Sequence, residues 1–129
     1  MVTRSGEDWD VEDSDIDRLT HLLREFAQER DWEQFHTPKN LVMALSVEVA
    51  ELVEHFQWLT PEQSSELPPE KLEEVSEEIA DAFNYLLRLC DQLGVDLIGV
   101  SESKIASNRL KYPAEKVRGN AAKYTDYEK

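Results

Sequence analysis

An all-α, four-helix bundle is predicted by three features of the 129-residue chain. Apolar residues recur at steps of three and four, no run alternates with the period of a strand, and there are only 4 glycines. Ser14 suits an N-cap, and Asp15 and Asp17 follow in the first turn. Leu19, Leu22, Leu23, Phe26 and Ala27 then carry a first helix to about Trp32, with Glu33 to His36 as a connector. Thr37-Pro38, a cap followed by proline at the first helical position, starts a second helix that runs to about Leu59. Thr60-Pro61 and Pro68-Pro69 bracket a polar loop with room for a single helical turn. The third helix, Glu70 to Leu93, has the cleanest pattern: Leu72, Val75, Ile79, Ala82, Leu86, Leu89 and Leu93. Gly94 ends it. Asp96 caps a fourth helix from Leu97 to about Tyr112, closed by Pro113. The helical domain is thus 14–112, between an acidic N-terminal arm, 1–13, that reads as mobile and carries Trp9, and an extended basic segment, 113–129.

The net charge of −14 argues against a nucleic-acid polymer or an anionic membrane as partner. It is unevenly spread. The first 103 residues hold 7 basic and 25 acidic side chains, the remainder 7 and 3, and a local basic segment of that kind suits a small anionic ligand. The single cysteine, Cys90, falls on the apolar side of the third helix and reads as a packed, inert thiol. With no signal-like opening and no long apolar run, the chain is expected to be soluble and cytoplasmic.

Chemistry enters through two acidic pairs of equal spacing, Glu48-Val-Ala-Glu51 and Glu78-Ile-Ala-Asp81. Between Leu41 and Val53 the polar side chains are Ser46, Glu48 and Glu51 alone, so this helix is expected to be largely buried. A carboxylate there needs a positive partner. Residues three apart on a helix share a face, so each pair can converge on one point. Taken alone, Glu78 and Asp81 read as a solvated pair, because the helical wheel sets Asp81 apart from the leucine stripe; packing of the two helices makes them partners of Glu48 and Glu51. Four carboxylates form an oxygen-only site suited to Mg²⁺, with Mn²⁺ as a substitute, and substrate phosphates and water complete the shell. Neither pair shows the Glu-x-x-His step of di-iron bundles. His55 reads as a surface or supporting group, and spacing gives His21 and His36 no metal role.

Arg30-Asp31-Trp32-Glu33-Gln34-Phe35-His36, the two acidic pairs, Phe56-Gln57-Trp58, Val95-Asp96-Leu97, Ser103-Lys104, Asn108-Arg109, Tyr112-Pro113 and Lys123-Tyr124-Thr125 together resemble the all-α nucleoside triphosphate pyrophosphohydrolases. The broad likeness is to the MazG-like group and the close one to its dCTP pyrophosphatase branch, over roughly 18–125. The resemblance implies an Mg²⁺-dependent enzyme that splits a deoxynucleoside triphosphate, dCTP or a modified dCTP, into monophosphate and pyrophosphate, as nucleotide-pool housekeeping. Glu48, Glu51, Glu78 and Asp81 would hold the metal and carry the catalysis. Trp32 and Trp58 would meet the base, His36 would bind the substrate, Tyr85 would reach a sugar or phosphate, and Lys104, Asn108 and Arg109 the phosphates. It also implies a homo-oligomer, a tetramer built as a pair of dimers. Leu23 stands where animal members carry a base-pocket histidine, with His21 displaced by two positions, which implies a modest advantage for cytosine. Two rivals are a MazG-like hydrolase of broad base preference and a non-enzymatic helical interaction module.

Overall fold

The structure, a computed structural model, describes residues 14–123 and Thr125. The expected N-terminal arm with Trp9 lies outside the described residues. Among those described every element is helical: α1 (Asp15–Glu29), a 3₁₀ turn (Glu33–Phe35), α2 (Pro38–Phe56), α3 (Pro61–Ser64), α4 (Pro69–Leu93), α5 (Leu97–Lys111) and α6 (Ala114–Val117). The caps are those the sequence indicates. Ser14 accepts from the Asp17 amide at 3.1 Å, Thr37 from Asn40 at 3.2 Å and Asp96 from Gly99 at 3.2 Å. Thr60 and Gln63 close a reciprocal capping box on α3, and Gly94 stops α4 at φ 69°, where a side chain would be strained.

The chain forms two compact units, one ending at Gly94 and one beginning at Val95, so the expected helical domain 14–112 divides after α4. In the first unit α4 is central, packed most extensively on α2 and less on α1. Ala27, Leu41, Val75 and Leu87 form its buried apolar centre, joined by the guanidinium-bearing Arg88 at 3% exposure. The second unit holds α5 and α6; the basic segment after Tyr112 was expected to be extended but winds into the α6 turn behind Pro113.

Two expectations about burial are corrected. The α2 helix is not enclosed: one face of this nearly all-apolar helix meets α4, and Val42, Met43, Val47, Val49 and Val53 are about half exposed. On α4 the apolar stripe is buried only in part. Leu72, Ile79 and Leu93 are more than half exposed, whereas Val75 of the same stripe is buried, together with Leu87 and Arg88, which lie off it.

The first helix ends three residues earlier than its apolar spacing suggests, and the reason is local. Asp31 adopts φ 54°, the Asp31 amide donates to the Gln28 carbonyl (3.1 Å) and the Trp32 amide to the Ala27 carbonyl (2.9 Å). These paired bonds are a Schellman turn with aspartate in the left-handed position usually given to glycine. Gln34 Nε2 donates to the Asp31 carbonyl at 3.0 Å and holds the next turn against it. Replacing Asp31 by valine, whose branched side chain is strained at positive φ, should destabilise the fold by about 1–2 kcal/mol, and Asp31→Gly should be neutral or better. Urea denaturation of the three proteins checks this.

Candidate metal centre and adjoining cavity

Packing of α2 against α4 decides where the acidic pairs go. Glu48, Glu78 and Asp81 each place a carboxylate oxygen within 4.8 Å of the others, a spacing one cation can span. Glu51 is not part of that triplet of ligand atoms, but its carboxyl lies against those of Glu48 and Glu78 and shifts both. Asp81 is exposed and the other two are half-buried, so the cluster sits at the edge of the packed interface. Glu48 Oε2 and Glu78 Oε2 are buried without a hydrogen-bond partner. Unpaired acceptors in a cluster of like charge are a donor set that a cation would satisfy.

Electrostatics records the same frustration. Burial first, then the charges of Glu51 and Asp81, push the Glu48 carboxyl up to about 7. Glu78 is also raised, by burial and then by contact with Glu51. The donor set is hard, oxygen-only and short of positive charge, so it fits Mg²⁺ or Mn²⁺ better than a soft metal. His55 is not part of it: its Nδ1 faces Lys71 Nζ at 3.0 Å and Glu74 at 3.9 Å. Cys90 is half-buried with its thiol raised by burial, in keeping with an inert side chain.

Beside the cluster opens a cavity of about 470 Å³. Leu19, Leu22, Leu23 and Phe26 present one apolar wall from α1, at the three- and four-residue steps of a single helix face. The Schellman turn folds Trp32 back beside it, edge-on to Phe26 at 5.7 Å and to His36 at 6.5 Å. Glu48, Asp81, Asn84, Tyr85 and Arg88 supply the polar lining. The structure therefore brings Trp32, His36 and Tyr85 into one cavity with two of the four expected carboxylates. It does not bring Trp58 there. That indole is 86% exposed just beyond the end of α2. Lys104, Asn108 and Arg109 belong to the second unit, where α5 carries Asn108 half-buried and the other two exposed.

Arg88 and Asn84 were missed. An arginine among leucines on an amphipathic helix reads as a long stem with its head in water. Here the head is inside. Arg88 Nε donates to His36 Nδ1 at 3.1 Å and Nη1 to Asp91 Oδ2 at 2.9 Å. Asp91 also accepts from Arg24 Nε on α1 at 3.1 Å, so one carboxylate holds two guanidinium groups and ties α1 to α4. The sequence signal was available: Arg88 and Asp91 are three apart, as in the acidic pairs.

The raised Glu48 carboxyl makes stability depend on pH with a definite sign. The unfolded chain releases this proton near 4.5 and the folded chain near 7, so the folded state binds more protons between them. The contribution of this group to stability without metal is fully present below about 4.5, falls across that window and is lost above about 7. In chelator, thermal melts should show this decline in the wild type and clearly less of it in Glu48→Gln.

A family model described as the MazG-like family matches residues 43–127. The chain is 43% identical over 113 residues to dCTP pyrophosphatase 1 of Mus musculus and 42% identical to that of Homo sapiens, in each case over 86% of this chain and 66% of the relative. It thus spans just under two thirds of the length of these curated relatives. A crystal structure of a pyrophosphatase from Archaeoglobus fulgidus matches with a TM-score of 0.74 and 42% identity, over 79% of this chain and 95% of the other.

Proposed function

The chain belongs to the MazG-like family, and we propose that it hydrolyses a deoxynucleoside triphosphate, with dCTP or a modified dCTP as the preferred substrate, to the monophosphate and pyrophosphate. The observation that carries this reading is the juxtaposition of two sites of opposite character. A carboxylate cluster with orphaned buried oxygens lies beside an aromatic-walled cavity large enough for a nucleoside. The dCTP pyrophosphatase 1 relatives and the archaeal pyrophosphatase support the reaction class.

In this reading Glu48, Glu51, Glu78 and Asp81 hold Mg²⁺, for which Mn²⁺ can substitute. The ion, when bound, neutralises the triphosphate and lowers the pKa of water. The chain's own groups do the positioning. Trp32 offers a flat face to the base while the α1 wall excludes water behind it. Tyr85, one turn from Asp81, stands between the base side and the acid side and can donate to the sugar or phosphate. The family resemblance assigns phosphate contacts to Lys104, Asn108 and Arg109, which α5 carries. Cleavage of this kind removes unwanted nucleotides from the pool, in keeping with a cytoplasmic protein; among the described residues no helix is long and apolar enough to cross a membrane.

The working form is a homo-oligomer, a tetramer built as a pair of dimers. The uncovered apolar face of α2 and the fully presented Trp58 are its contact surface, and Trp58 reaches a base only from such a surface.

Two measurements test this reading. With Mg²⁺, dCTP should release pyrophosphate rather than orthophosphate, and Glu48→Gln should lose turnover by at least about a hundredfold while remaining folded. Release of orthophosphate, or near-normal turnover in the variant at saturating Mg²⁺, rejects the site. The solution mass at micromolar protein should be a multiple of the 14.9 kDa chain. A monomer mass rejects the assembly.

A further inference from the structure

The polar end of the cavity, away from the acids, holds a charged group that the hydrolytic chemistry does not use. Arg88 lines the cavity at 3% exposure, and its Nη2 is buried with no hydrogen-bond partner. That nitrogen makes an ion-pair contact with Glu33 Oε1 at 3.6 Å, on a half-exposed side chain and too long for a hydrogen bond. The remaining nitrogens are spent on His36 and Asp91. A buried guanidinium hydrogen is costly to leave unpaired, and an arginine pinned at two of its nitrogens cannot turn to find another partner.

Position along α4 says which part of a nucleotide could satisfy it. Arg88 lies seven residues beyond Asp81, two turns or about 10 Å along the axis. Its links to Asp91 and His36 draw the head further from the acids. A nucleoside whose phosphates lie at the acids extends along most of that rise, so Nη2 faces the base and not the phosphates. His36 stands beside it with a fixed tautomer. Its Nδ1 accepts from Arg88, which places the proton of the neutral ring on Nε2. Burial and the Arg88 charge lower the His36 pKa and keep the ring neutral. This end of the cavity therefore offers two donors side by side: Arg88 Nη2–H and His36 Nε2–H.

We propose that Arg88, with His36, is the specificity-determining pair for the base, donating to the adjacent O2 and N3 acceptors of cytosine. The inference rests on the cytosine-nucleotide reading given above and names the groups that make it selective. Uracil and thymine carry a hydrogen on N3, so a donor would meet a donor and both would be left unpaired. Cytosine alone among the pyrimidines presents two neighbouring acceptors on that edge. Arg88 thus takes the part that a histidine at the Leu23 position was expected to play, and the cytosine preference is larger than that position implies.

The experiment uses the full chain with Mg²⁺ and compares kcat/KM for dCTP, dUTP and 3-deaza-dCTP, in which N3 is replaced by C–H. The wild type should favour dCTP over each of the others by about 10- to 100-fold, the range for a hydrogen bond to a charged group. Arg88→Met, which keeps the stem and removes the donors, should shrink the dCTP-to-dUTP ratio by a similar factor. Equal losses on both substrates would mark Arg88 as structural and overturn the proposal. Should the variant fail to fold, the 3-deaza comparison on the wild type still decides, since equal turnover of dCTP and 3-deaza-dCTP overturns it as well. Binding of uncharged deoxycytidine against 3-deaza-deoxycytidine, followed by calorimetry in chelator, separates this inference from the reaction. Discrimination between the nucleosides without pyrophosphate release would leave the base pair standing and reject the hydrolase. Binding of neither nucleoside overturns the base pair.

Discussion

Contact between α2 and α4 is the constraint on which the rest depends. Each helix carries an acidic pair three residues apart, and neither pair alone is a site. Pressed together they place like charges within ligand distance, which costs the fold stability unless a cation is supplied. The apolar surface of the same interface holds them there. Binding energy for the cation is thus stored as electrostatic strain and kept in place by hydrophobic packing, so affinity and stability are two readings of one balance.

The first unit also separates charge along its own length. At one end Glu48, Glu78 and Asp81 repel one another; at the other Arg24 and Arg88 share a single Asp91. Between them lies a cavity whose walls are largely apolar, so the field across it is weakly screened. A ligand that is anionic at one end and rich in acceptors at the other has one favoured orientation only when the acids carry a cation. Without it, the phosphates would be drawn toward the arginines.

Much of this was legible in the sequence where a local rule held. Capping residues and the proline after Thr37 marked the helix starts, and an acid on an almost wholly apolar helix marked Glu48. Legibility failed where tertiary context overrode a local pattern. Leu72 and Ile79 follow the heptad-like spacing of a core seam, yet they are more than half exposed, whereas Leu87 and Arg88, which lie off that seam, are buried. The spacing of Arg88 and Asp91 could have paired them, but not told that the pair is buried, since an arginine on an exposed face carries the same local pattern. Trp58 shows the converse: its type suggested a base platform, while its position leaves it facing solvent in the single chain.

The Schellman turn at Asp31 bears on the order in which the cavity is built. Its two hydrogen bonds join residues three and five apart, so closing it costs little chain entropy and needs no other helix. Phe26, Trp32 and His36 can therefore approach one another while α1 is still searching for α4. The carboxylate cluster, by contrast, exists only after α2 and α4 have docked across the α3 loop, with its greater closure cost. One wall of the cavity thus belongs to local sequence and the other to the finished topology, and a mutation that loosens the bundle will dissolve the acidic side well before the aromatic one.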